Sequence, residues 1–225
     1  MNTIQKLVAT VKRLRDPEKG CPWDQKQTHQ SLTTCLLEET AEVLEAIDTG
    51  NMTLLREELG DLLLQIIMHC QIAEESESFD FEAVCQEINQ KLIRRHPHVF
   101  ENHNPKLNPE LLIKRWEEIK ADEKAKKGII EDGIFKKKPP QLNALLQTKE
   151  IVRQIDKKNL KKAKVKFDEK QQGSSKKIIA SKMYALVEQC HRESLDPENI
   201  LRNYLLCLKS CIENEIRSYG ASEVI

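Results

Sequence analysis

The chain has 225 residues with equal numbers of basic and acidic residues, 36 Lys+Arg and 36 Asp+Glu, and only 4% of its residues are aromatic. Few aromatic residues, together with seven glycines and eight prolines, argue against an all-β sandwich or barrel, which needs a turn signal roughly every 8–12 residues. The composition instead favours an all-α protein of one large or two small domains.

Helical periodicity extends along most of the chain, and no segment has a convincing strand pattern. Eight helices are predicted, at residues 2–15, 31–49, 53–77, 81–95, 109–126, 141–157, 174–193 and 197–218. The first two are separated by DPEKGCPWDQKQTH (16–29), which is rich in turn-forming residues. It is predicted to be an ordered loop, and loops of this length are often functional.

No apolar run approaches the ~18–20 residues needed to cross a bilayer. The first 14 residues carry polar and basic side chains where a signal peptide would have its apolar core. We therefore expect a cytoplasmic protein that does not bind membranes. The seven cysteines are odd in number and form no CxxC pair, so we expect reduced core residues and neither disulfides nor a zinc site.

Charge is distributed unevenly along the chain. Residues 30–101 contain 15 acidic and 4 basic residues, whereas residues 120–182 contain 19 basic and 8 acidic ones. This contrast predicts a domain at residues 1–126, a basic linker with Pro and Gly at 127–140, and a second domain at 141–225. The Lys-rich stretch 149–170 contains a single aromatic residue, Phe167, and no repeated interleaving of aromatic residues that could stack on bases, so a solvated helix face is favoured and nucleic acid is an unlikely partner.

Carboxylates on the second and third helices are the most informative residues. At 100° per residue, Glu38, Glu39 and Glu42 lie on one face of the second helix, which taken alone is typical of a solvated surface. The third helix is apolar nearly all round, which indicates burial, yet Glu58 and Asp61 project from one side of it. Because an unpartnered carboxylate loses several kcal/mol on leaving water, these groups need a partner.

The two acidic helices are joined by a short connection, so they are predicted to be antiparallel neighbours. Arg56 could neutralise one acid but not five, whereas a hard divalent cation accepts several oxygen ligands at once. Mg²⁺, with Mn²⁺ as a substitute, is the predicted occupant. The alternative is a solvated, salt-bridged surface.

Basic and aromatic residues provide candidate ligand contacts. Lys91, Arg94 and Arg95 lie at i, i+3 and i+4 of the fourth helix, so they share a face and could contact phosphates. The alternative is a basic cluster favoured by the helix dipole. The two tryptophans, Trp23 and Trp116, could either stack on a nucleobase or pack in the core.

The pattern EExxE at residues 38–42 is followed by ExxD at 58–61, with GCPWDQKQTH before it and KLIRRHPHVF after it. This arrangement resembles the MazG family of all-α nucleoside triphosphate pyrophosphohydrolases, over roughly residues 5–125. The resemblance implies a helical bundle of the MazG type and a homodimer. It also implies Mg²⁺-dependent hydrolysis of a nucleoside triphosphate between the α and β phosphates, which yields the monophosphate and pyrophosphate.

The resemblance also implies roles for individual residues. Glu39, Glu42, Glu58 and Asp61 match the metal ligands of the family motif. The catalytic candidates are Glu38 and Glu39, where Glu38 is either a further ligand or the base that orients the attacking water. Trp116 and Lys120 match a WxxxK element of the family. With the other candidates, which come from residue type and position, the predicted substrate contacts are Trp23, Asn89, Lys91, Arg94, Arg95, Trp116 and Lys120.

The second half resembles a degenerate second copy of the same helical module. Its helices align loosely with those of the first half, but the ligand positions are occupied by Ala185, Leu186, Gln189, Ile200 and Asn203. An apolar stripe on its last helix favours a role in dimerisation or stability, and consists of Ile200, Leu201, Tyr204, Leu205, Leu208, Cys211 and Ile212.

Two other functions are compatible with the sequence. One is an all-α pyrophosphatase of narrower specificity, acting on dUTP, dCTP or phosphoribosyl-ATP. The other is a regulatory helical protein that binds nucleotides or a partner protein and has lost hydrolysis, which the missing acids of the second half favour and the intact acids of the first half oppose.

Overall fold

The computed structural model describes residues 2–101, 108–126, 142–160 and 175–219, together with residues 128, 135 and 139. All regular elements in these ranges are α-helices, which confirms the all-α prediction. They are α1 Thr3–Leu14, α2 Pro22–Gln25, α3 Thr33–Asp48, α4 Met52–Glu75, α5 Phe81–Arg95, α6 Pro97–Phe100, α7 Pro109–Lys126, α8 Ala144–Lys157, α9 Ser175–Arg192 and α10 Pro197–Tyr219.

The two shortest helices, α2 and α6, were not predicted from the sequence. Each begins at a proline, Pro22 or Pro97. Proline suits the first helical turn because its missing N–H would have no partner there. Because proline is usually interpreted as a sign of a loop, a four-residue helix that begins at proline is easily overlooked in the sequence.

A tight reversal joins α3 to α4. Gly50 has a φ of 66°, a left-handed conformation that glycine adopts without strain. Asn51 then caps α4, because its side chain accepts hydrogen bonds from the backbone N–H groups of Thr53 and Leu54. The result is an antiparallel helical hairpin whose two helices are joined by a short turn.

The chain divides into two compact units, Met1–Ile130 and Glu131–Ile225. In the first unit, the core is formed by Val11 of α1, Leu32 just before α3, and Ile67 and Met68 of α4. The core residues of α4 therefore belong to its second half.

An ion pair joins three parts of the first unit. The Arg15 side chain, which is only 5% exposed, donates from Nη2 to Oε2 of Glu75 at 2.6 Å and from Nε to Oε1 at 2.8 Å. Its Nη1 donates to the backbone carbonyls of Asp24 and Gln27. Hydrogen bonding to Glu75 raises the pKa of Arg15, and the same contact lowers the pKa of Glu75. Arg15 thus fastens the loop after α1 to the end of α4.

Helix α4 is less buried than its apolar sequence predicts. Met52, Leu59 and Ile66 recur at intervals of seven residues, and all three are exposed.

The cysteine prediction is also wrong in part: all seven cysteines are free, but only Cys70 is buried, and Cys207 and Cys211 are exposed on α10.

The second unit contains α8, α9 and α10. Its buried residues include Val152 of α8 and Val187 of α9. Lys149 forms an ion pair with Asp196, which also caps α10 by accepting from the backbone N–H of Glu198. The predicted stripe of α10 is exposed on the surface of this unit.

Several predictions lie wholly or partly outside the described residues. They include most of the linker at 127–140, the predicted helix starts at 141 and 174, and the basic segment 161–170. None of the helices in the described ranges combines the length and the apolar character needed to span a bilayer.

Replacing Arg15 by methionine is expected to lower the free energy of unfolding by about 2 kcal/mol, because two loop carbonyls and Glu75 lose their donor. Urea denaturation at pH 7 measures the change. Arg13→Met, at an exposed position near the end of α1, is the matched control and should change stability by less than about 0.5 kcal/mol. Equal effects of the two substitutions would show that Arg15 does not anchor the loop.

Candidate functional site

The α3–α4 hairpin brings three of the predicted carboxylates together. Glu39 of α3 and Glu58 and Asp61 of α4 each offer a carboxylate oxygen, and these atoms all lie within 4.8 Å of one another. The register follows from chain geometry. Glu39 precedes the end of α3 by the same nine residues by which Asp61 follows the start of α4, so equal helical rise places them at one level.

Burial and mutual repulsion both act against ionised carboxylates in this group. Burial, then the charges of Asp61 and Glu42, raise the pKa of Glu39. Burial, then the charges of Glu42 and Asp61, likewise raise the pKa of Glu58, a residue that is only 9% exposed. None of the ion pairs formed among the described residues includes Glu39, Glu58 or Asp61. Among the described residues, therefore, no side-chain cation balances the charge of these three carboxylates.

The donor set fits a hard divalent cation. Mg²⁺ takes oxygen ligands at about 2.0–2.1 Å, so the ligand oxygens around it lie roughly 3–4 Å apart. Small side-chain rotations would close the present oxygens to that spacing. Within the described ranges, no other group of three or more His, Cys, Asp or Glu residues has this proximity.

Two further acids of the EExxE motif occupy different positions. Glu42 is exposed but lies beside the group, since its charge affects the pKa of both Glu39 and Glu58. Glu38 is exposed and lies outside the group of three. Its place suits contact with solvent or a ligand better than a buried coordinating role.

A second cluster, the basic cleft, lies between the end of α5 and α7. The cleft has a volume of about 330 Å³. It brings together four of the predicted substrate contacts, and its lining consists of Glu87, Gln90, Lys91, Arg94, Arg95, Lys120, Glu123 and Lys124. Five of these eight side chains are cationic, so the cleft suits an anionic ligand.

Glu123, which was not predicted from the sequence, forms ion pairs with both arginines of the basic cleft. Its Oε1 accepts from Nε of Arg94 at 2.7 Å, and its Oε2 accepts from Nη2 of Arg95 at 2.6 Å. Hydrogen bonds from Arg95 and then Arg94 lower the pKa of Glu123 to about 2, despite its burial. Glu123 is thus an internal anion in the basic cleft. Because it is 28 residues from Arg95 in the sequence, no helical periodicity could predict this contact.

Of the remaining predicted contacts, Trp116 borders the basic cleft, whereas Trp23 and Asn89 are not part of its lining. The ring of Trp116 has Nζ of Lys120 at 4.0 Å from its centroid and Cζ of Arg95 at 5.8 Å, so cations cover the ring. Trp23 is 60% exposed on α2. Asn89 is exposed on α5 and is not part of the cleft lining.

The start of α5 lies close to the second half of α4. After burial, the charges of Cys85 and Asp80 raise the pKa of the Cys70 thiol. The acidic group includes residues of the first half of α4, whereas the basic cleft lies between the end of α5 and α7.

Comparison with known proteins identifies a family. Residues 27–100 match the model of the MazG nucleotide pyrophosphohydrolase domain. A nucleoside triphosphate pyrophosphohydrolase of Escherichia coli K12 is 44% identical over 151 residues, which cover 67% of this chain and 56% of that protein. A nucleoside triphosphate pyrophosphohydrolase/pyrophosphatase MazG of Thermotoga maritima is 45% identical over 152 residues, covering 68% of this chain and 57% of that protein.

Among solved structures, a mazG-related protein from Thermotoga maritima is 30% identical, with a TM-score of 0.45, and the match covers 52% of this chain and 98% of that one. The chain spans little more than half the length of the E. coli and T. maritima relatives named above. Both acidic motifs and the basic residues of α5 fall inside the matched domain. The chain belongs to the MazG family, and its MazG nucleotide pyrophosphohydrolase domain lies at residues 27–100.

Proposed function

We propose that this chain is a Mg²⁺-dependent nucleoside triphosphate pyrophosphohydrolase that cleaves between the α and β phosphates and releases the monophosphate and pyrophosphate. The observation that carries the proposal is the group formed by Glu39, Glu58 and Asp61, three carboxylates held within 4.8 Å of one another inside a MazG domain. The names of the relatives support the same activity.

Glu39, Glu58 and Asp61 would hold the cation, with Glu42 beside them as a fourth ligand. When bound, Mg²⁺ supplies neutralisation of phosphate charge and polarisation of the phosphoryl group. Glu38, exposed on the same helix, would accept a proton from the attacking water and orient its oxygen toward the α phosphorus. The raised pKa values of Glu39 and Glu58 support a site that is completed by a cation, because like charges alone destabilise it.

A nucleoside triphosphate carries about four negative charges, so it needs cationic side chains beyond the metal. Lys91, Arg94, Arg95 and Lys120 would bind the phosphate tail in the basic cleft, which offers about 330 Å³. Asn89 remains a proposed contact with the sugar or a phosphate.

Of the two tryptophans, Trp23 is the better placed for stacking on a base, since it is 60% exposed. Trp116 would first have to release Lys120 from its ring. A substrate panel would determine the preference for base and sugar, including a narrower preference for dUTP, dCTP or phosphoribosyl-ATP.

A homodimer is part of the proposal. Met52, Leu59 and Ile66 form an exposed apolar stripe along α4 with the heptad spacing of helix-to-helix packing. A second copy of the same hairpin would cover this stripe. We also propose that residues 141–225 are a degenerate second MazG-like module that supports assembly, and that the protein acts in the cytoplasm.

A regulatory protein that binds nucleotides without hydrolysing them is the second candidate. The contact of Glu123 with Arg94 and Arg95 favours it, because an internal carboxylate already occupies the groups proposed for phosphate. Pyrophosphate release from a panel of nucleoside triphosphates, with Mg²⁺ and with EDTA, separates the two functions. Metal-dependent binding without turnover would support the regulatory protein.

Replacing Glu58 by glutamine, or Asp61 by asparagine, is expected to lower kcat at least 100-fold, because each change removes a charged ligand. Pyrophosphate release measures the loss of turnover, and Mn²⁺ titration measures the accompanying loss of metal binding. Glu45→Gln, at an exposed acid of α3, is the control and should leave both unchanged.

The same Glu58→Gln variant should be more stable than the wild type in EDTA at pH 7. A carboxyl whose pKa is raised by folding destabilises the folded state once the pH exceeds its ordinary value of about 4.3, so the advantage should vanish below that pH. A variant that is less stable than the wild type at both pH values would contradict the repulsion described for this group.

Replacing Glu123 by glutamine is expected to lower KM for the nucleotide roughly tenfold, with little change in kcat, because Arg94 and Arg95 no longer hold a competing anion. Steady-state kinetics across a series of nucleotide concentrations measures it. Glu118→Gln, at an exposed position of the same helix, is the matched control. A raised KM would mean instead that Glu123 holds the arginines in their binding geometry.

Replacing Leu59 by glutamate is expected to weaken self-association at least tenfold, because a charge would be buried in the apolar stripe. Sedimentation equilibrium of the whole chain gives the dissociation constant. Thr53→Glu introduces the same charge at an exposed position of α4 off the stripe and should leave association unchanged. Unaltered dimers in Leu59→Glu would place the interface elsewhere.

A further inference from the structure

A cavity of about 410 Å³ lies between α1, α4 and α5 in the first unit. Its wall shares no residue with the acidic group or with the basic cleft. Two cysteines line it, Cys70 from α4 and Cys85 from α5, and both are free thiols. The proposed function uses neither of them.

The two cysteines lie at nearly one level on either side of the α4–α5 connection. Cys70 precedes the end of α4 by five residues, and Cys85 follows the start of α5 by four. These separations correspond to about 7.5 Å and 6 Å along the two helices. Phe81, the first residue of α5, packs against the core that contains Ile67 and Met68, so the chain turns back onto α4 at this point.

The side chains of both cysteines belong to the inward faces of their helices. On α5, Phe81, Val84 and Cys85 are partly buried, whereas residues 82–83 and 86–90 are exposed. On α4, Ile67 and Cys70 are buried one turn apart. Because positions i, i+3 and i+4 share one side of a helix, each cysteine is directed toward the neighbouring helix and into the cavity.

The two thiols differ in their access to solvent. Cys70 is only 4% exposed, and burial, then the charges of Cys85 and Asp80, raise its pKa, so it stays protonated at neutral pH. Cys85 is only partly buried. Because oxidants react with accessible thiolates, Cys85 is the thiol that an oxidant meets first, and Cys70 is the second thiol within its reach.

We propose that Cys70 and Cys85 form a redox-sensitive pair, in which a hydroperoxide converts the two thiols into a disulfide that joins α4 to α5. The Cys85 thiolate attacks the peroxide, the O–O bond breaks, and a sulfenic acid and an alcohol, or water from hydrogen peroxide, result. The Cys70 sulfur then attacks the Cys85 sulfur. The S–O bond breaks, and its oxygen leaves as water with the thiol proton.

The cavity provides the space that this reaction needs. A disulfide requires the two Cα atoms to lie roughly 4.4–6.8 Å apart, and the empty volume between the helices lets α5 approach α4 to that distance. The bond would tie the helix that bears Glu58 and Asp61 to the helix that bears Arg94 and Arg95. The reaction needs neither metal nor nucleotide, so it is tested independently of the proposed function.

Peptide mapping of the oxidised whole chain tests the proposal. The reduced protein, kept dilute, is treated with an equimolar amount of hydrogen peroxide, alkylated, and digested without reduction by a protease that cleaves after glutamate. Since residues 74, 75, 77 and 82 are glutamates, this digestion separates Cys70 from Cys85 unless a disulfide joins them. We expect the two peptides to be linked and to part on addition of dithiothreitol, while Cys21 and Cys35 are alkylated. Alkylated Cys70 and Cys85, or a link from either to Cys35, would overturn the proposal.

Replacing Cys70 by alanine tests the order of the two steps. The Cys85 sulfenic acid then has no second thiol, so its labelling by dimedone should rise roughly tenfold over the wild type. Cys35→Ala, at a partly buried cysteine that packs against the core, is the matched control and should leave the Cys70–Cys85 link intact. Circular dichroism of each reduced variant checks that the helices are retained.

Cys85→Ala provides a second test that leaves the buried position untouched. Cys70 should then remain a thiol after the same treatment, because its burial keeps it from the peroxide. Equal dimedone labelling of Cys85 in the wild type and in Cys70→Ala would show that Cys70 does not react with the sulfenic acid. Oxidation of Cys70 in Cys85→Ala would contradict the assigned order.

Discussion

Repulsion among clustered carboxylates is the constraint to which the first unit is adapted. Glu39, Glu58 and Asp61 destabilise the chain where they meet, so stability must come from elsewhere. The second half of α4 provides it, through Ile67 and Met68 in the core and through the ion pair between Arg15 and Glu75. The first half of α4 thus bears the repelling carboxylates and its second half packs in the core, which is how folds commonly accommodate functional groups that reduce stability.

Much of this fold could be predicted from residue patterns because its signals are local. Caps such as Asn51 and Asp80, and the glycine stop at Gly50, fix helix ends within a few positions. The register of Glu39 against Asp61 also follows from local information, since a tight turn leaves only one way to align the two arms. The four-residue helices could not be predicted, because a single turn has no periodicity to detect.

The contacts that sequence reasoning missed join residues far apart in the chain. Glu123 pairs with Arg94 and Arg95 across nearly thirty residues, and His29 reaches His69 across forty. Neither pair belongs to a repeating pattern, and each depends on how two helices or a helix and a loop pack. Burial was misjudged for a related reason. The hydropathy of α4 and α10 predicts that their apolar faces are buried against another surface. It does not show whether that surface belongs to the same chain.

The two tryptophans give the protein an optical probe of its own. Trp116 lies against Lys120 and Arg95 at the basic cleft, whereas Trp23 lies on the exposed α2, and the sequence contains no other indole. Indole emission depends on the charges near the ring, so any anion that draws Lys120 away changes the signal of Trp116. With Trp23 replaced by phenylalanine, intrinsic fluorescence would report occupancy of the cleft in real time, free of labels and of any dependence on turnover.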